Sequence, residues 1–413
     1  MRAALFAVLA ICLFGGCVPY SSGFAKIENH LRAGDEAAAL RQLENDSPAD
    51  RDRVVFELDR AMLLQRLDRF KESAEAFESA KLLFDEYDAI SVSEQVASML
   101  INDGAIAYGG EDFERVLASF YAAINYLLVG DLYGARVEVM QGDERLKRIG
   151  DGKYIDDAAL RYLSGIVFES LGENAAALVS YRQAYRVYKE GFFGTPLPNS
   201  LKNDLLRLSK KLGVTQEYNQ YRSEFGSLGD LGAIGGAQGE LIAIVGDGFA
   251  PIKRADEIMV GVSGVITKIS VPRYEVRYRS PSVTLAIDGE AASCETIENV
   301  SAIALETLKA NMPEIIARTI ARLVAKKATE NAIGSAAGGK DNGGAGAIAR
   351  LAASLFNAMT EVADTRGWYT LPDSIYIARA RLAQGAHRVT IGAKEYNVEI
   401  KSGERLFIAP RLY

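Results

Sequence analysis

The sequence predicts an α+β chain: an all-helical solenoid of repeats, followed by a mixed domain of strands and helices. Three observations predict it. Up to about residue 225, apolar residues recur at i, i+3, i+4 and i+7, the spacing of one helix face. Residues 226–239 (GSLGDLGAIGGAQG) then break the composition with glycine. Beyond that break the pattern turns to alternation with Val and Ile enriched, as in half-buried strands. The expected organisation is a leader over 1–16, a helical repeat domain over 17–225, a linker over 226–239 and an α+β domain over 240–413.

The leader comes first. Ala3 to Phe14 is an almost unbroken apolar run, shorter than the roughly 18 residues that span a bilayer as a helix. Its size and flanks are those of a secretory signal core. Gly15-Gly16-Cys17 after it resembles the lipobox of bacterial lipoproteins, although Phe14 stands where Leu is usual. The resemblance implies that Cys17 becomes an acylated N-terminus carrying several chains, palmitate among them. One chain holds a protein only marginally, whereas two or more anchor it stably. Val18 after the cysteine, rather than Asp, implies the outer membrane, with the chain facing the periplasm.

Composition limits the chemistry. The 413 residues carry a net charge of −7 with a pI near 5.3, which argues against nucleic acid as a partner. Of three cysteines, Cys12 lies in the leader and Cys17 is the acyl site, so Cys294 is alone in the mature chain and no internal disulfide forms. Two histidines, His30 and His387, leave no multi-histidine metal site.

In the helical half, Arg53–Leu67 and Phe70–Phe84 form the clearest pair of helices. Leu67-Asp68-x-Phe70, then Ser73, Phe77 and Ala80, resembles the second helix of a tetratricopeptide (TPR) repeat, where small residues let paired helices approach. Leu171-Gly172, Ala177, Tyr181 and Ala184 repeat the pattern, 104 residues on and so close to three repeats. Weaker copies begin at Gly34 (Ala39, Leu43) and Gly130 (Ala135, Val139); the spacing around Gly130 breaks the period. An irregular solenoid with a concave surface is therefore expected. Its many tyrosines read as packing residues or as an aromatic groove for a partner segment, with Tyr126 and Tyr181 the groove candidates.

In the second half, strands are expected over Glu240–Val245, Glu257–Ile269, Arg273–Tyr278 and Ser282–Ile287. Two helices follow, Val300–Ala310 and Pro313–Ala332, with Pro313 at a favoured first-turn position. The second carries Arg318, Arg322, Lys326 and Lys327 opposite an apolar face, a solvated cationic row or a surface for anionic lipid. A Gly-rich loop (334–346), a helix over Ala347–Val362 and short strands at 375–380, 387–391, 396–400 and 405–408 complete the chain.

Gly239-Glu240-Leu241, a turn before Phe249-Ala250-Pro251, the run Ala363-Asp364-Thr365-Arg366-Gly367-Trp368-Tyr369-Thr370-Leu371-Pro372, Ala378-Arg379 and Gly385-x-His387 together resemble a bacterial outer-membrane lipoprotein family with helical repeats. With the leader, the resemblance spans essentially the whole chain. Genes of that family often lie near small lipoproteins that look like activators of peptidoglycan synthases, which implies an envelope role.

Few residues point to chemistry. Gly334-x4-Gly339-Lys340 lacks the Ser/Thr of a phosphate-binding loop, with Asp341 in its place, so no nucleotide is expected. Gly246-Asp247-Gly248 precedes no helix that could open a dinucleotide site, and reads as a hairpin turn. Asp364, Arg366 and Trp368 form the one cluster of note. It reads either as a buried clamp of the helix end on the final strands, with Arg366 paired to Asp364 and stacked on Trp368, or as a recognition site for an anionic or sugar-like ligand, joined by His387. No activated nucleophile accompanies it, so neither an enzyme nor a cofactor is expected. The expected function is a lipid-anchored periplasmic scaffold binding envelope proteins through its repeats. The alternative is a module that binds a cell-wall fragment or small solute through the C-terminal domain.

Overall fold

The computed structural model describes residues 20–45, 47–89, 106–149, 154, 156–226, 236–262, 265–277, 283–337 and 362–413. Cys17, the leader and the predicted helix over 347–362 lie outside them, Val362 excepted.

The first half is a stack of antiparallel helical hairpins: α1 (Tyr20–Arg32) with α2 (Glu36–Asn45), α3 (Arg53–Arg66) with α4 (Phe70–Asp88), α5 (Asp112–Leu128) with α6 (Leu132–Arg148), α7 (Ala158–Ser170) with α8 (Asn174–Lys189), and α9 (Asn199–Lys211) with α10 (Thr215–Phe225). One local device makes every turn. A residue in the left-handed region closes the first helix: Gly34 (φ 74°), Asp68 (57°), Gly130 (78°), Gly172 (80°) and Gly213 (69°). Glycine meets no Cβ clash there, and Asp is one of the few other residues that tolerates it. The predicted small residues do the packing. Ala39, Ser73, Ala80, Ala135, Ala177 and Ala184 are all fully buried.

Between Asp68 and Gly172 the described residues contain one hairpin turn, at Gly130. The α9–α10 hairpin adds a repeat that the small-residue pattern did not single out.

In the second half, β1 (Gln238–Asp247) lies between β10 (Arg405–Ile408, parallel) and β7 (Ser374–Ala383, antiparallel), and β6 (Glu295–Asn299) adds to the far side of β7. A second sheet runs β5 (Glu290–Ala291), β4 (Leu285–Ile287), β8 (Gly385–Ile391), β9 (Lys394–Ile400). Alternation along β1 shows how the layers stack. Ile242 and Ile244 join the core of the helical half, whereas Leu241, Ala243 and Val245 pack with Leu285, Val389 and Ile391 of the second sheet. The first sheet is thus sandwiched between the repeats and the second sheet.

Three expectations need correction. The single strand over 257–269 is a hairpin, β2 (Ile252–Val262) and β3 (Val265–Glu275), and β6 was not anticipated. The two helices split at Pro313 are one, α11 (Val300–Ala337), which also takes in the start of the Gly-rich loop. Proline withdraws one N–H from the helical ladder, and the helix runs on through the gap. Arg322 is buried rather than part of a solvated row.

Candidate functional site

The conspicuous run Ala363–Pro372 is a strap that crosses the inside of the helical stack. Two buried carboxylates on the repeats receive its backbone. Glu114 on α5 accepts the Trp368 N–H at 2.7 Å, and Asp59 on α3 accepts the Thr370 N–H at 2.9 Å and its hydroxyl at 2.8 Å. Asp59 also accepts the Tyr20 hydroxyl (2.7 Å), and Glu114 that of Tyr108 (2.6 Å). Burial pushes Asp59 up to about 7 and raises Glu114 as well.

Arg366 pairs with Asp364 through Nε (2.9 Å) and Nη2 (2.7 Å), as the spacing predicts. Its Nη1 donates to the carbonyls of Arg51 (2.9 Å) and Ile106 (2.8 Å) and lies 3.3 Å from Asp52. The clamp therefore grips the helical repeats rather than the final strands. The ring beside the guanidinium is Tyr108, at 5.2 Å, and not Trp368. Trp368, 2% exposed, sits edge-on to Phe77 (5.7 Å) and Tyr121 (5.9 Å), and its indole N–H donates to Thr370. His387 does not join this cluster. It lies half-buried on β8, bonded to Asp288 (2.6 Å) and the Ala383 carbonyl (2.8 Å).

The second junction between the halves is a closed ring of six charged side chains. Arg207 on α9 donates to Glu169 (2.5 and 2.7 Å) on α7 and to Asp204 (2.7 Å). Arg379 on β7 donates to Asp204 and to Glu240 on β1 (2.6 and 2.9 Å). Arg405 on β10 closes it, with Glu240 at 2.8 Å and Glu169 at 2.6 Å. Three carboxylates alternate with three guanidiniums, so the ring is neutral although its side chains are only 2–15% exposed. Burial works to raise Glu169, but the facing arginines outweigh it and hold the carboxyl down at about 2.

Tyr181 bonds to this ring from outside it. It is fully buried, donates to Glu169 (3.0 Å) and lies against Gly165, where an added Cβ would sit 2.2 Å from the phenol ring. Tyr126 is half-buried and packs on Gly134 of its own hairpin. Both tyrosines fill hairpins. Of the ring, Glu240 and Arg379 fall in the runs that carry the family resemblance. Glu169, Asp204, Arg207 and Arg405 gave no signal, because nothing in a single sequence says that four distant charges face one another.

Beside the ring, a cleft of about 840 Å³ opens to the surface. The α5–α6 and α7–α8 turns form one wall, the end of α9 another and the β9–β10 turn a third. Leu127, Leu132 and Phe407 give it an apolar floor, and Lys210 and Lys211 stand exposed at its rim.

This arrangement defines a class: TPR-like helical repeats whose inner surface is closed by a strap from a C-terminal α+β domain. No family model matches the chain, and no curated protein matches it. Among solved structures, the protein MamA aligns at 14% identity over 48% of this chain and 91% of its own, with a TM-score of 0.32. A kinesin light chain of nearly identical TPR-like repeats from Podospora anserina aligns at 12% identity over 49% and 92%, with a TM-score of 0.34. A Rap protein complexed with competence and sporulation factor aligns at 14% identity over 49% and 51%, with a TM-score of 0.32.

Proposed function

We propose that this chain is a non-enzymatic, lipid-anchored scaffold of the bacterial outer membrane, facing the periplasm. It binds a segment of another envelope protein in the cleft at the repeat turns. The observation that carries this reading is the division of the repeat surface. The inner face, where a solenoid commonly takes its partner, holds the strap, with Trp368 as its plug. The cleft is open, is built by both halves, and pairs an apolar floor with a cationic rim. The lipobox resemblance supports the anchor at Cys17, and the family resemblance supports a partner connected with peptidoglycan synthesis. Recognition of a cell-wall fragment by Asp364, Arg366 and Trp368 is the lesser reading, because Asp52, Glu114 and backbone carbonyls of this chain already engage those groups.

The test is site-specific photocrosslinking in cells, with the crosslinker at Leu132 or Lys210 and, as control, at Lys309 on α11. One dominant envelope protein captured from the cleft positions and not from the control supports the scaffold. Equal capture at all three positions, or none at the cleft, sinks it. In parallel, Cys17→Ser should release the protein from the membrane fraction; retention of that variant would refute the lipid anchor.

A further inference from the structure

The cleft does not account for a second surface, on the outward side of α4 and α6. These helices run side by side in the same direction. Lys81 bonds Glu138 and Gln141, and one turn further on Asp85 meets Arg145. Along α6, Tyr133, Val137 and Met140 stand at i, i+4 and i+7, 74%, 52% and 45% exposed, and Leu82 on α4 is 61% exposed. A shallow groove of about 480 Å³ separates the helices, with Leu82, Val137 and Met140 along it. Isolated exposed apolar residues are ordinary, but a stripe at helical spacing beside a groove marks an interaction surface.

The charges flanking the groove specify the partner. The α4 side is acidic, with Glu75, Glu78, Asp85 and Glu86 exposed. The α6 side of the groove carries three basic residues, Arg136, Arg145 and Arg148, against one acidic residue, Glu144. Several of these charges are paired within the chain, and Asp143, which also holds Lys147 at 2.8 Å, and Glu144 lie on α6 among the basic residues. Lys81 is buried and neutralised by Glu78 and Glu138, Glu144 pairs with Lys147, and Arg136 pairs with Glu173. Arg145 and Arg148 reach Asp85 across the groove at 3.4 and 3.6 Å, so the two flanks already attract each other within one copy.

The geometry points to a second copy of this chain as the occupant. A two-fold axis along the groove lays α4 of one copy on α6 of the other. Acidic flank then meets basic flank twice, and the apolar stripes meet at the centre, the self-complementarity that a two-fold interface requires. The pairing is independent of the cleft reading and leaves the cleft open on each copy.

Sedimentation velocity on the purified full chain, from low to high micromolar, tests it. The wild type should show a concentration-dependent dimer. Val137→Asp, at an already exposed position, should leave circular dichroism and thermal midpoint unchanged while weakening the dimer about tenfold or more. The charge pattern gives a stricter test. Asp85→Lys/Glu86→Lys and Arg136→Glu/Arg148→Glu, all at exposed or partly exposed positions, should each be monomeric alone and should form a heterodimer when mixed. A wild type that stays monomeric, a dimer indifferent to Val137→Asp, or a mixture that does not associate would each overturn the proposal.

Discussion

Arg379→Met tests whether the six-membered ring holds the two halves together. The guanidinium is 4% exposed and bridges Asp204 and Glu240, so its loss leaves three buried carboxylates facing two cations. Removing one partner from a buried ion pair costs about 3–5 kcal/mol, most of it the penalty of the charge left behind. The methionine stem keeps the apolar part of the packing, so the cost reports the charge. Arg379→Met/Glu240→Gln restores neutrality, with two carboxylates and two guanidiniums, and should be less destabilised than the single variant by about 1–2 kcal/mol. Urea unfolding followed by circular dichroism gives both numbers, along with the slope that reveals any loosening of the denatured or native state. A loss below about 1 kcal/mol for Arg379→Met would put the ring with surface ion pairs and refute the reasoning. So would a double variant whose cost equals the sum of its parts.

Other predictions follow from the same contacts. The unfolded Glu169 carboxyl titrates near 4.5 and the folded one at about 2, so its stabilisation is complete above 4.5 and is lost as pH falls from there towards 2. Asp59 has the opposite sign: raised by burial from 3.8 to about 7, it stabilises the fold as pH falls from 7 towards 4. Urea midpoints should therefore peak on the mildly acidic side of neutrality, and Glu169→Gln should flatten the acid limb. Trp368→Ala should cost about 3–5 kcal/mol through the cavity it leaves. Trp368 is the only tryptophan, so a red shift of wild-type emission in urea should coincide with loss of helix if the strap and repeats unfold as one unit. Gly165→Ala drives a methyl into the buried Tyr181 ring and should cost about 1–3 kcal/mol. Gly134→Ala should cost less, as half-buried Tyr126 has room to turn away; equal thermal shifts for the two would contradict this.

Local signals were legible from sequence wherever one residue decides a local conformation. The left-handed turn residues Gly34, Asp68, Gly130 and Gly172 and the buried alanines after them mark their hairpins, because each acts within one turn of chain. The apolar run over 240–245 and the short strand expected at 375–380 likewise fall within β1 and β7. The failures have a common cause, which is that tertiary packing overrode a local preference. Pro313 breaks helices by local rules, yet α11 continues through it with its first turns held by Val300, Ile303 and Ala304 in the core. Asp364 and Arg366 are close enough in sequence for their pairing to be read directly. The carbonyls of Arg51 and Ile106 that complete the clamp lie more than two hundred residues away. Only a folded chain shows that Glu240 and Arg379 in the resembling runs serve the junction between halves.

The strap has a further consequence for how the chain is made. Asp59 finds Thr370 across 311 residues of sequence, and Asp52 finds Arg366 across 314. At roughly 5–20 residues per second, the first repeats leave the ribosome on the order of tens of seconds before the segment that fills them. Through that interval their inner surface is apolar and unfilled around Phe77 and Tyr121, with Asp59 lacking the Thr370 N–H and Glu114 the Trp368 N–H. Early helices of this kind should be weakly folded and open to chaperones. A chain cut short before residue 363 would display the same surface permanently, as a degradation signal that full-length protein hides beneath Trp368.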